Sequence, residues 1–232
     1  MGNVPTEIER LQAEAETYTA AQLVGFALER FSPRIAIASS FGAEDVVLIH
    51  LASQLRPDFR VFTLDTDFLF PETYALIEET ERRYGIRVER TKSRLTPEAQ
   101  AEEFGQALWG RQPDQCCNLR KVEPLTQKLR ELDAWISGIR RDQSPTRANA
   151  RKLEWDARFG LTKVNPLADW KGEQVWNYIR LHNLPYNPLH DQGYPSIGCT
   201  HCTRPVQAGE DPRAGRWSGF QKTECGLHVA RS

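Results

Sequence analysis

The sequence predicts an α/β fold: a mostly parallel twisted sheet with helices on both faces, followed by a loop-rich C-terminal tail. Three observations carry this. Short apolar runs of strand length alternate with longer segments of helical periodicity, the pattern of strand–helix–strand units. Proline and glycine punctuate those segments where helices start and stop, as with Pro71 and Gly85 around "PETYALIEETERRYG". A chain of 232 residues is also long enough for one well-filled core while staying within the range of a single domain.

Taken in order, the spacing of Ile8, Leu11 and Ala15 and then of Leu23, Phe26, Ala27 and Arg30 predicts one or two opening helices. "RIAIAS" (Arg34 to Ser39) reads as the first strand and "AEDVVLIHLASQL" as the helix after it. "RVFTLD" (Arg60 to Asp65) is the second strand, leading into the helix opened by Pro71, and "IRVER" is the third. Helical character returns from Pro97 to about Leu108, then a turn falls around "GRQPDQ". "NLRKVEPLTQKLREL" reads as a helix provided that Pro124 lies in an early turn. "AWISGI" is a fourth strand, "LTKVNPL" a fifth, and "KGEQVWNYIRLHN" a helix with Val175, Tyr178, Ile179 and His182 on one face. Beyond Leu184, proline and glycine dominate and loop is expected. Residues 1–202 are therefore read as the folded body and 203–232 as a mobile tail.

Acidic and basic residues nearly cancel, 31 against 30, so no global field argues for nucleic acid. No apolar run approaches the ~18 residues of a membrane span. The polar, acidic start "MGNVPTEIERLQAEAETYT" is unlike a signal or transit peptide, and the cytoplasm is the expected compartment.

Several stretches could carry chemistry. In "IAIASSFGAEDVVLIH" a strand runs through Ser39, Ser40, Phe41 and Gly42 straight into a helix. Backbone N–H groups, two hydroxyls and a glycine there make an anion cradle, though not a Walker or dinucleotide fingerprint. Glu44 and Asp45 could equally be ordinary first-turn charges. Asp65, Thr66 and Asp67 end the second strand, where capping and turn chemistry is the plain explanation. The five cysteines divide as four plus one: Cys116 and Cys117, Cys199 and Cys202, and Cys225 near the end. Four thiols as CC…CxxC fit an iron–sulfur cluster or zinc. Adjacent cysteines favour a cubane, which gives each thiolate its own iron, and the alternative is two buried small hydrophobes. Arg120, Lys121, Arg140, Arg141, Arg147, Arg213 and Arg216 gather at strand ends or near the cysteines, which suits anion recognition better than scattered surface charge. Cys225 sits beside Lys222 and His228, and positive surroundings favour the nucleophilic thiolate.

The blocks "SSFGAEDVVL", "LDTDFLFPETY", "CCNLRKVEPL", "SGIRRDQSPTRA", "GCTHCTRPV", "GEDPRAGRW" and "KTECGLH" together resemble the assimilatory sulfonucleotide reductases, in that family's order and from about Arg34 to His228. The resemblance implies an adenine-nucleotide α-hydrolase-like fold, related to ATP pyrophosphatases, although "SSFGAED" replaces their SGGxDS loop. It implies that Cys225 attacks the sulfur of adenylyl sulfate, displacing AMP and leaving an S-sulfocysteine, from which thioredoxin or a glutaredoxin-like reductant releases sulfite. It implies a [4Fe–4S] cluster on Cys116, Cys117, Cys199 and Cys202. Nucleotide contacts would come from Ser39, Ser40, Phe41, Gly42, Leu64 and Thr66, with Lys121, Arg213 and Arg216 offsetting negative charge and His228 supporting the thiol. Members with the quartet mostly use adenosine 5′-phosphosulfate, and those without it use the 3′-phosphorylated nucleotide, which stays as the alternative substrate. Asp67 stands where LDTG would have glycine, and a carboxylate there could alter the ribose contact or discriminate against a 3′-phosphate. A non-enzymatic iron–sulfur or zinc protein would not need "KTECGLH", and a tRNA sulfur-transfer enzyme would need the pyrophosphatase loop. No nucleic acid or membrane partner is expected, and the oligomeric state, a homo-oligomer included, is left open.

Overall fold

Every central strand sends alternate side chains into two different cores. In β1 (Ile35–Ala38), Ile35 and Ile37 face one core and Ala36 the other; in β2 (Val61–Asp65), Val61 and Phe62 divide in the same way. This period of two, with both faces apolar, is what a buried parallel sheet demands. The computed structural model describes residues 6–222 and 224–227. It opens with helices α1 (Thr6–Ala15) and α2 (Ala20–Phe31). Thr19 starts α2 with a capping box: its hydroxyl accepts the Gln22 N–H at 3.3 Å while Gln22 Oε1 accepts the Thr19 N–H at 2.9 Å.

After β1 come α3 (Ala43–Ser53), β2, α4 (Pro71–Tyr84) and β3 (Val88–Lys92). Pro71 occupies the first turn of α4, and Gly85 ends it in the left-handed region at φ 65°, as the sequence predicted. The stretch read as a helix and a turn is three short helices, α5 (Pro97–Phe104), α6 (Leu108–Arg111) and α7 (Pro113–Cys117). Between α7 and α8 (Glu123–Leu129) the chain widens into a π-helical turn, Asn118–Val122, with the Glu123 N–H donating to Asn118 O. Pro124 lies in the first turn of α8, where its missing N–H is not needed, and the wider turn before it makes room for its ring.

The chain continues through β4 (Ala134–Ile136), β5 (Leu153–Asp156), β6 (Leu161–Val164) and α9 (Gly172–Leu181). The sheet order is β3-β2-β1-β4-β6-β5, parallel except for β5, which pairs antiparallel with β6. The sequence reading missed β5 and took β6 for the fifth strand. β5 is an edge strand of a tight hairpin turned by Gly160 at φ 71°, so it carries little apolar signal. Helices α2, α3, α4 and α9 cover one face. On the other, α8 packs Leu125 and Leu129 against Ala36, Phe62 and Trp135. The chain runs outward from β1 through β2 to β3 and then returns to β4 on the opposite side of β1. That reversal leaves a crevice at the carboxyl ends of β1, β2 and β4.

Candidate active site

A cavity of about 440 Å³ fills this crevice. Ser39, Ser40 and Gly42 just after β1 line it, with Leu64 and Thr66 at the end of β2 and Ser137 and Gly138 just after β4. Ala38, Phe62, Leu64, Leu125, Trp135 and Leu227 give it an apolar wall continuous with the core under α8. Lys121, Arg140, Arg147, Arg213 and Arg216 bring five cations to the same cavity, and Cys225 brings a thiol. A mixed apolar and cationic lining of this size fits a nucleotide with an anionic end.

The loop after β1 differs from a cradle of free amides. The Asp45 carboxylate reaches back from the first turn of α3 and accepts the Ser40 N–H at 2.6 Å, the Ser40 hydroxyl at 2.9 Å and the Gly42 N–H at 3.4 Å. The loop therefore satisfies its own donors, and the side-chain cations are left to meet an anion. Phe41 departs from expectation as well: its ring is buried in the core, its N–H bonds Ser39 Oγ, and its φ of 60° turns the loop. Glu44 pairs with Arg140 at 2.8 Å. Gly138 passes so close that a Cβ would lie 2.5 Å from Asp45 Oδ1. Asp67 also fails to line the cavity. It sits at φ 58°, a left-handed conformation that explains why glycine is expected there and why aspartate is tolerated. Its carboxylate turns to Arg120 at 3.0 Å and Lys92 at 2.5 Å, so it is not poised to repel a 3′-phosphate.

A second, smaller cavity is lined by all four quartet cysteines, with Arg120, Lys121, Arg216 and Trp217. The π turn after Cys117 places Cys116, Cys117 and Lys121 on this wall, and the loop at Cys199 is fixed by a bridge to Leu69 and by the Thr200 N–H on Phe68 O at 2.8 Å. Burial, reinforced by Cys117, Cys199 and Cys202, pushes the Cys116 thiol up to about 12; burial and the charges of Cys199 and Cys117 push Cys202 to about 11. Thiols so crowded ionise together only with a cation among them. Lys121 and Arg216 line both cavities. Burial works against the Lys121 ammonium, but Cys199 and Cys225 outweigh it and hold the group charged. Lys121 thus lies between the quartet and Cys225. His228 falls outside the described residues.

Sequence reasoning left Arg147 unassigned among the basic residues and overlooked Glu224, Ser137 and Gly138. The motif "SGIRRDQSPTR" after β4 held the signal, since strand ends at the reversal point are where ligands bind.

Known proteins resemble this chain over nearly its whole length. An adenosine 5′-phosphosulfate reductase of Halalkalibacterium halodurans is 52% identical over 97% of this chain and 98% of its own. One of Staphylococcus haemolyticus is 49% identical over 96% and 92%. Among solved structures, the phosphoadenylyl-sulfate reductase of Candida auris, in complex with phosphate, superposes with a TM-score of 0.77 at 28% identity, over 87% of this chain and 98% of that one. With the family model described as the phosphoadenosine phosphosulfate reductase domain matching residues 34–205, across the crevice and both cysteine pairs, the chain belongs to that family of sulfonucleotide reductases.

Proposed function

We propose that this enzyme reduces adenosine 5′-phosphosulfate to sulfite and AMP, with Cys225 as the nucleophile and a thioredoxin-class dithiol as the electron donor. The observation that carries this is the single cavity holding an apolar wall, five cations and the Cys225 thiol together. The Cys225 thiolate attacks the sulfate sulfur. The bond from that sulfur to the bridging phosphate oxygen breaks and AMP leaves, its charge met by the basic side chains. A thiolate of the reductant then attacks Cys225 Sγ and releases sulfite. The mixed disulfide is resolved by the second thiol, so a dithiol is oxidised as sulfate sulfur is reduced by two electrons. Lys121, Arg213 and Arg216 counter the repulsion between thiolate and sulfonate oxygens. A tail that closes for attack and opens for the reductant suits these two steps.

The quartet cavity fits a [4Fe–4S] cluster. Arg120 Nη2 and Arg216 Nε are buried there without hydrogen-bond partners among the described residues, which are donors suited to cluster sulfides. The four thiols come in two pairs, from the Cys116–Cys117 helix and the Cys199–Cys202 loop, and a cubane spreads its thiolates over four irons. When bound, the cluster would supply an anionic centre and a covalent tie between the Cys116–Cys117 helix and the Cys199–Cys202 loop. Among the described residues no helix is long and apolar enough to cross a membrane, in keeping with a cytoplasmic enzyme.

The test is single-turnover incubation of the anaerobic protein with each sulfonucleotide, read by intact mass before any reductant is added. One SO₃ adduct mapped to Cys225, formed faster with the 5′-phosphosulfate than with its 3′-phosphorylated analogue, is expected. Cys225→Ser should form none while still binding AMP. An adduct persisting in that variant would move the chemistry to another cysteine.

A further inference from the structure

The segment that carries Cys225 is held against the cavity by contacts on both sides of the thiol. Glu224, next to the thiol, has a side chain only 6% exposed. Its carboxylate accepts from Arg147 Nε at 3.0 Å and Nη2 at 2.9 Å, and from Arg213 Nη2 at 3.2 Å. The Thr146 hydroxyl approaches it at 3.4 Å, and Arg147 Nη1 is fixed on Gln143 Oε1 at 2.6 Å. On the other side of Cys225, Arg158 donates to Gly226 O and Leu227 packs against the apolar cavity wall. A carboxylate leaves water this completely only when it is paired, and a bidentate guanidinium is the pairing with the most defined geometry. Among the described residues, Cys225, Arg147 and Arg213 line the cavity and Glu224 does not. The carboxylate therefore lies behind the two arginines and does not occupy the space of a ligand.

We propose that Glu224 is a latch: a positioning residue that clasps Arg147 and Arg213, keeps Cys225 in the cavity, and couples tail closure to binding of the anionic nucleotide. Two guanidiniums against one carboxylate leave a net positive charge facing the cavity, so the clasp orders the anion site without neutralising it. An anion that engages the same arginines stiffens the clasp, and closure and binding favour one another, as reciprocal linkage requires. Burial acts to raise the Glu224 carboxyl, yet the Arg147 pairing and Arg213 hold it below the usual glutamate range, so the clasp stays charged through neutral pH. The proposal rests on the reading of Cys225 as the attacking thiol, and its deciding readout, alkylation of Cys225 with and without AMP, does not depend on that chemistry.

The rate at which iodoacetamide alkylates Cys225 in the holoenzyme, followed by peptide mass with and without AMP, reports the closed fraction of the tail directly. Glu224→Gln keeps the shape and loses the charge. It should speed alkylation by about tenfold or more, lose most of the protection given by AMP, and leave Tm unchanged. Glu224→Asp should recover part of both effects, and the first-turnover rate should fall in Glu224→Gln more than AMP affinity does. Wild-type alkylation and wild-type AMP protection in Glu224→Gln would overturn the latch. So would tighter AMP binding in that variant, because Glu224 would then be competing for the anion site. Failure of the reductase reading would appear separately, as an absent SO₃ adduct with the alkylation pattern intact.

Discussion

Asp67 shows how one side chain can change meaning between sequence and structure. As a carboxylate beside a nucleotide motif it invites a role in rejecting a 3′-phosphate. Its carboxylate is instead spent on Arg120, itself 1% exposed, and on Lys92. Asp67→Gly would relieve the left-handed backbone but leave a buried guanidinium short of a counter-charge. The second effect is the larger, because removing one partner of a buried pair costs several kcal/mol and Asp67 is only partly buried. A net loss of about 2 kcal/mol in denaturant unfolding is expected, with the ratio of kcat/KM for the two sulfonucleotides unchanged; a shifted ratio would return Asp67 to the cavity. Asp45 makes a prediction about pH. Burial, with Glu44 beside it, pushes its carboxyl up to about 6 from 3.8, and the bonds from Ser40 and Gly42 only partly offset this. The folded state then holds this proton more tightly than the unfolded chain. The resulting stability is full below about pH 4 and is lost as pH rises through about 6, by on the order of 3 kcal/mol. Urea midpoints across that window should fall less steeply in Asp45→Asn than in the parent, and identical profiles would count against the assignment.

At the scale of elements, what the sequence made legible followed from local pattern. The central strands are buried on both faces and read as apolar runs, and α4 carries its own proline start and glycine stop. Cys116, Cys117, Cys199 and Cys202 could be grouped because their spacing is itself chemical. The rest was hidden because it depends on contacts between distant segments or on unusual hydrogen bonding. The π turn before Pro124 has no periodicity of its own, β5 is a four-residue edge strand, and the capture of loop amides by Asp45 depends on a rotamer. The tail was hidden most of all, since nothing in "KTECGLH" says that Glu224 will find Arg147. Its turn makes a further prediction. Gly226 adopts φ 84°, where an alanine is strained even though its Cβ would meet Val122 Cγ2 at an unexceptional 3.6 Å. Gly226→Ala should penalise only the docked tail, by about 1 kcal/mol. Adduct formation should slow several-fold with Tm unmoved, and a lowered Tm would mean that the tail belongs to the cooperative core.

Across the whole molecule, the two cavities share a wall and therefore a fate. The loop from Ser196 to Thr203 holds two quartet cysteines, yet its Ile197 and Gly198 also line the nucleotide cavity. The same loop frames Arg216, whose Nη1 donates to Ser196 Oγ at 3.0 Å and whose backbone bridges to Thr203. From the other side, the Thr66 hydroxyl lies 3.4 Å from Cys199 Sγ while Thr66 lines the nucleotide cavity. A cluster tying this loop to Cys116 and Cys117 would thus fix groups that line the proposed nucleotide cavity, although no quartet cysteine lines it. Cys202→Ser, prepared without oxygen, should lose iron and acid-labile sulfide, lower the Tm, and weaken AMP binding by about tenfold, the scale on which outer supports act on a site. Calorimetric titration with AMP measures the last effect without any turnover. Unchanged AMP affinity in the iron-free variant would show that Arg216 and Thr66 keep their places without the cluster, and that the shared wall transmits nothing.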